Sequence, residues 1–220
     1  MIRLVNFLLL TKKSHQYNKE IIDKGLTPQK VYKLCSCIRE TFCLSYSIRK
    51  DNNLFIYFQK EYILICFIGN ELRYLGPDER SQALLLEKAL NKANEIDFNV
   101  KDGRTQSTPG IYALKFLDHH SFLGYISSLV IGNVHIIIDK EELIKKERDI
   151  YARNIKFEFF KDRNWFVIPT YDNFIGNSKI LDLIKEMKNI KFFSLSKIKQ
   201  IENKILYINY LKDQQDSVRL

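Results

Sequence analysis

Short apolar, β-branched runs recur along this chain of 220 residues, and segments of helical spacing separate them. Leu4 to Leu10 is apolar at every position but Asn6, as a strand covered on both faces requires. Leu54 to Phe58 and Tyr62 to Ile68 are rich in aromatic and β-branched residues, and the polar Gln59-Lys60-Glu61 between them predicts a hairpin. Val134 to Ile138, Ile155 to Phe160, Trp165 to Ile168, Lys191 to Leu195 and Ile205 to Tyr210 read as further strands. Between them, Pro28 opens a helix through Leu44, with Val31, Leu34, Cys35, Ile38 and Phe42 at the spacing of one helix face. Phe116 to Leu129, Glu141 to Arg148 and Ile175 to Met187 also read as helices, and the polar stretch Asn99 to Gly110 as a loop. This alternation predicts an α/β fold, a largely parallel sheet flanked by helices. It forms one domain over residues 1–211 with a polar tail over 212–220.

Composition narrows the partners. Thirty-five Lys and Arg stand against 26 Asp and Glu, a net charge of +9 that attracts a polyanion or simply solvates a lysine-rich surface. No apolar run approaches the roughly 18 residues of a membrane span, so a cytoplasmic protein without membrane association is expected. Cys35, Cys37, Cys43 and Cys66 sit among apolar neighbours at spacings unlike a zinc site and read as reduced thiols. His119-His120 has no acidic or cysteine partner at metal spacing, so no metal is expected and the pair reads as facing solvent.

The segment Leu72-Arg73-Tyr74-Leu75-Gly76-Pro77-Asp78-Glu79-Arg80-Ser81 precedes an apolar helical run, giving a helix from Pro77 to Ala93. Pro77, Asp78 and Glu79 suit a first turn, whereas Arg80 is a cation at the positive end of the dipole. It is either a solvated arginine or a phosphate grip beside exposed N–H groups.

This segment resembles the LRYLNPDERS signature of the archaeal tRNA (pseudouridine(54)-N(1))-methyltransferases, members of the SPOUT superfamily of knotted RNA methyltransferases. Ser45-Tyr46-Ser47-Ile48-Arg49-Lys50-Asp51 resembles that family's S-H-x-I-R-K-D, and Ser107-Thr108-Pro109-Gly110-Ile111-Tyr112 its S-S-P-G-I-Y. The resemblance implies a SPOUT-type fold with a C-terminal trefoil knot over about 133–211, S-adenosylmethionine (SAM) as cofactor, tRNA as partner and a homodimer. It makes Arg80 and Asp78 the catalytic candidates, and Arg49, Lys50, Arg73, Arg80 and Arg104 the RNA-binding ones. Arg49 and Lys50 beside Asp51 also fit an ordinary surface ion pair.

The knotted loops of that family read F-V-L-G-D-H-x-G-F, S-L-G-P and H-C-I. Here Phe166-Val167-Ile168-Pro169-Thr170-Tyr171-Asp172-Asn173-Phe174, Ser194-Leu195-Ser196-Lys197 and Lys204-Ile205 stand in their places. The implied cofactor contacts are Ile137, Ile168, Pro169, Ser194, Leu195, Ser196, Lys197 and Ile205. Three glycines of the family pattern are replaced, by Pro169, Asn173 and Ser196. The family's G-R-M-D element is replaced by Gly25 to Lys30. Two functions follow as alternatives: methylation of pseudouridine in the T-loop of tRNA, or RNA binding without catalysis.

Overall fold

A computed structural model describes residues 4–97, 103–130, 132–138, 164–170, 180, 183–184, 186–187 and 189–217. The expected helix at 141–148, the strand at 155–160, residues 171–174 of the first knot loop and most of 175–187 lie outside the described residues.

Eight strands form a single sheet: β1 (Val5–Thr11), β2 (Asn52–Phe58), β3 (Ile63–Ile68), β4 (Arg104–Thr108), β5 (Ile111–Lys115), β6 (Asn133–Ile137), β7 (Asn164–Pro169) and β8 (Ile190–Phe193). Their order is β4-β5-β3-β2-β1-β7-β6-β8. From β2 to β8 every pairing is parallel, and from β2 to β4 every pairing is antiparallel. The sheet is therefore mixed, with five parallel strands continued by an antiparallel flank. β1 and β2 sit at its centre and nearly all their residues are buried, which is why their sequences are apolar on both faces.

The helices are α1 (Lys19–Asp23), α2 (Gln29–Phe42), α3 (Glu79–Asn94), α4 (His119–Leu129) and α5 (Ile201–Ser217). Alternate strand residues sort into two cores. Val5, Phe7, Leu9, Phe166 and Ile168 pack with residues of α2, α3 and α5, whereas Leu8, Leu10, Phe55, Trp165 and Val167 pack with Phe122 and Ile126 of α4. Each fully buried Leu, Ile or Phe contributes about 1.5–3 kcal/mol of transfer free energy.

Five expectations are corrected. Residues 104–108 form a polar edge strand rather than a loop, because β5 pairs with them and no other strand among the described residues does. Ile205 to Tyr210 is helical, part of α5, with Ile205 and Ile208 in the core. The presumed polar tail begins inside that helix, and Lys212 is 1% exposed. α3 starts at Glu79 rather than Pro77, because Asp78 takes extended backbone angles and caps it, accepting the Ser81 N–H at 2.8 Å. The four cysteines are free thiols, with Cys35, Cys37 and Cys66 buried, as expected. Burial pushes the Cys35 thiol up to about 12, so it is inert. His119 is half-buried rather than solvent-facing: its Nδ1 shares a 2.8 Å hydrogen bond with the Tyr57 hydroxyl. His120 is exposed.

Candidate functional site

The three signature segments are distant in sequence and meet at one edge of the sheet. Asn52, at the start of β2, pairs with Val5, and Val5 pairs with Asn164, so the first residues of three parallel strands share this amino edge. Gly69 donates its N–H to the Asn52 carbonyl oxygen at 3.0 Å and to Asn53 Oδ1 at 3.0 Å. A Cβ at Gly69 would lie 2.2 Å from the Asn52 carbonyl oxygen and 2.7 Å from that of Arg49, so only glycine admits this approach. Gly110 accepts the Ile68 N–H at 2.8 Å. It holds φ +79°, and a Cβ there would meet the Leu72 nitrogen at 2.5 Å. Lys50 Nζ donates to the Leu72 carbonyl at 2.5 Å. Segments 45–52, 69–76 and 107–112 are thus one surface, locked mainly through backbone.

On that surface Arg73 and Arg104 are exposed, and the Arg104 guanidinium lies 4.0 Å from the centre of the Tyr112 ring. Arg80 is exposed as well, and its Nε and Nη2 donate to Asp23 Oδ1 of α1 at 2.9 and 2.7 Å. An exposed pair of this kind is worth about 0–1 kcal/mol, so a phosphate can displace it. Hydrogen bonds from Ser81 hold the Asp78 carboxyl below the usual carboxylate range, and it is ionised at neutral pH. Its immediate role is the α3 cap.

Arg49 and Asp51 do not pair with each other. Arg49 makes a bidentate bond to Asp213 at 2.6 and 2.7 Å, and Asp51 forms an ion pair with the buried Lys212. Lys212 also donates to Asn52 Oδ1 at 2.9 Å, and Asn52 Nδ2 donates to Asn209 Oδ1 at 2.9 Å. Helix α5 therefore clamps the Arg49-Lys50-Asp51 segment. Sequence reasoning passed over Asn209 and Lys212 because both carry polar side chains into a buried helix face, where apolar spacing is the usual signal.

The cofactor candidates gather at the opposite, carboxyl edge. Ile137 pairs with Phe193, and Pro169 pairs with Leu10, so the ends of β6, β7 and β8 lie side by side, where open α/β sheets bind ligands. Ile137, Ile168 and Ile205 are at most 2% exposed, and they back this edge from the core. Ser194 and Leu195 are buried, Ser196 and Pro169 are half-buried, and Lys197 is exposed. The Thr170 N–H donates to the Leu10 carbonyl at 3.0 Å and the Ile138 N–H to the Phe193 carbonyl at 2.9 Å. In donor chemistry the rim fits SAM: hydroxyls at Ser194 and Ser196, a cation at Lys197 and an apolar backing. No group of His, Cys, Asp and Glu that could hold a metal ion occurs among the described residues. Nor do they contain a helix long and apolar enough to cross a membrane.

Comparison with known proteins agrees with this division. A family model described as "Putative SAM-dependent RNA methyltransferase" matches residues 6–123, more than half of the chain. The tRNA (pseudouridine(54)-N(1))-methyltransferase of Methanocaldococcus jannaschii is 42% identical over 82 residues, covering 36% of this chain and 40% of that protein. The enzyme of the same name from Haloferax volcanii is 41% identical over 78 residues, 36% of this chain and 37% of its own length. That from Methanocella arvoryzae is 25% identical over 186 residues, 83% of this chain and 84% of its own. The first two similarities therefore span well under half of those relatives.

Proposed function

This chain belongs to the SAM-dependent RNA methyltransferase family, and from that premise we propose that it methylates N1 of pseudouridine in the T-loop of tRNA. The observation that carries the reading is the convergence of the three signature segments, fixed by Gly69, Gly110 and Lys50, on one cationic edge. Arg49, Lys50, Arg73, Arg80 and Arg104 engage RNA there, with Arg80 exchanging Asp23 for a phosphate. Asp78 sets the first turn of α3 and so positions Arg80, and its ionised carboxylate can accept a hydrogen bond from a ring N–H.

At the carboxyl edge Ser194, Leu195, Ser196, Lys197 and Pro169 would hold SAM, with Ile137, Ile168 and Ile205 behind them. When bound, that cofactor supplies a methyl group on a sulfonium, already activated for transfer, so orientation provides much of the rate. The parallel order β8-β6-β7-β1-β2, with α5 returned onto the core, supports a SPOUT fold with a knot over about 133–211. The single domain over 1–211 is part of the same reading, as is a cytoplasmic location. The two edges lie roughly 16 Å apart along β7, too far for one copy to bring both to one atom. A homodimer that sets one copy's signature face against the other's carboxyl edge would close that gap.

A second reading, RNA binding without catalysis, is favoured by one observation: Pro169 has no N–H, and the N–H groups of Thr170 and Ile138 are already bonded. Incubating the protein with isotope-labelled SAM and pseudouridine-containing tRNA, followed by nucleoside mass spectrometry, separates the two. Labelled N1-methylpseudouridine is the expected product. RNA binding with neither methyl transfer nor calorimetric binding of SAM would establish the second reading.

A further inference from the structure

On the sheet face opposite α2, α3 and α5, near the amino edge, lies a cleft of about 280 Å³ that the proposed reaction does not use. Its floor is aromatic: Phe55 and Trp165, both buried, stack on each other at 4.8 Å. Polar groups are set into it. Asn53 Nδ2 donates to Asn6 Oδ1 at 2.9 Å, and Asn53 Oδ1 accepts the Gly69 N–H. That leaves the Asn6 amide nitrogen as a donor with no hydrogen-bond partner among the described residues, although Asn6 is only 3% exposed. The Tyr112 hydroxyl donates to Glu71 Oε2, which leaves the other carboxylate oxygen of Glu71 as an acceptor. Arg104, held over the Tyr112 ring, puts a cation at the rim.

We infer that this cleft takes one unstacked RNA base that presents a carbonyl beside a ring N–H, as uracil does, with its phosphate at Arg104. The apolar floor lies under the ring, the Asn6 amide donates to the carbonyl and Glu71 accepts the N–H. An aliphatic ligand would cover the Asn6 amide nitrogen without pairing it. The volume lies just below the usual range for small-molecule sites and suits one nucleotide, not two. Trp165 is four residues before Pro169 on β7, roughly 13 Å from the carboxyl edge. Reacting atoms must approach to about 3–3.5 Å, so the base held here is not one that the same chain's carboxyl edge methylates. It is a recognition site beside the signature segments, which supply Glu71 and Tyr112. The inference rests on the reading of the chain as an RNA-binding methyltransferase.

The chain contains a single tryptophan, Trp165, and it lines the cleft, so its fluorescence reports occupancy directly. Titration with UMP should quench it, with CMP and AMP, which lack the ring N–H beside a carbonyl, at least tenfold weaker. Arg104→Ala on the exposed edge strand should weaken UMP several-fold and leave uridine unchanged. Asn6→Leu should abolish the preference for UMP at an unchanged melting temperature. If Asn6→Leu fails to fold, Arg104→Ala with the UMP–uridine comparison decides. Equal binding of all four mononucleotides, or no quenching by any, would overturn the inference. SAM calorimetry and methyl transfer on the same preparation keep the two claims apart. Methyl transfer with a silent Trp165 sinks only the cleft, and a quenched Trp165 without cofactor binding sinks only the enzyme.

Discussion

The two edges of the sheet treat the family pattern differently. At the amino edge the three signatures survive nearly letter for letter, and they are held where a Cβ at Gly69 or Gly110 would strike backbone. At the carboxyl edge Pro169 and Ser196 stand where the resemblance expects glycine, while Phe166, Val167, Ile168 and Leu195 are buried. The difference follows from what each edge asks of its residues. Where backbone is packed against backbone, no residue that carries a Cβ can replace glycine. Where loops end in side chains at solvent, Ser196 and Lys197 can stand in with donors and charge of their own.

The strongest way to break that contrast is Gly110→Ala. Positive φ and a 2.5 Å approach to the Leu72 nitrogen should together cost about 3 kcal/mol or more. Chemical denaturation would measure it, and a loss under about 1 kcal/mol would show that the amino edge is not locked as described. Next, Lys212→Ala leaves Asp51 without its α5 partner and Asn52 Oδ1 without its donor, and should cost about 2 kcal/mol, less than a fully buried pair because Asp51 is a third exposed. RNA affinity should fall with it, since the Arg49-Lys50-Asp51 segment loses its clamp. Unchanged affinity would mean that the clamp serves folding alone.

The sheet between the two edges is tested by pH. Burial pushes the His135 imidazole below its ordinary value, against the hydrogen bond that its Nε2–H donates to Asn164 Oδ1, which raises it. The unfolded chain therefore binds this proton first. The stabilisation is complete above about pH 6.5 and is lost as pH falls through the folded value. His15 contributes in the same direction. Melting curves from pH 7.5 to 5 should show declining stability, with a slope no steeper than about 1.4 kcal/mol per pH unit for each proton. His135→Phe should flatten it, and an unaltered slope would assign it elsewhere. Smaller still, Pro169→Gly with Ser196→Gly should return one N–H donor and room at the rim. SAM binding should tighten about fivefold, equivalent to about 1 kcal/mol. Weaker binding in calorimetry would show that this chain has moved its cofactor contacts onto side chains. The smallest stability change belongs to Arg80→Ala, under about 0.5 kcal/mol for an exposed pair. Its salt dependence of RNA binding should drop by about one phosphate contact. A fall of several degrees in melting temperature with RNA affinity intact would make Arg80 structural.

Most of the central strands and long helices were legible, the strands as short continuous apolar runs and the helices by apolar residues at period 3.6. The exceptions are instructive. In α5 the buried face carries Lys204, Asn209 and Lys212, so the run Ile205 to Tyr210 mimics a short strand. β4 is polar because it is an edge strand with exposed residues at Arg104 and Gln106. Arg80 and Asp78 were legible as a helix mouth, but the pairing of Arg80 with Asp23 needed α1, which no apolar spacing announces. The cleft was not legible at all. Asn6, Asn53, Arg104 and Tyr112 come from four different strands, and only the sheet order makes them neighbours.

The clamp on Arg49 has a consequence for the timing of synthesis. Its partner Asp213 lies 164 residues further along the chain, and at roughly 5–20 residues per second that delay lasts roughly 8 to 33 seconds. β1 waits almost as long for β7. Until then Arg49 and Lys50 have only the neighbouring Asp51 beside them. The signature turn takes its final shape only after α5 has been made, when Asp213 pairs with Arg49 and Lys212 with Asp51.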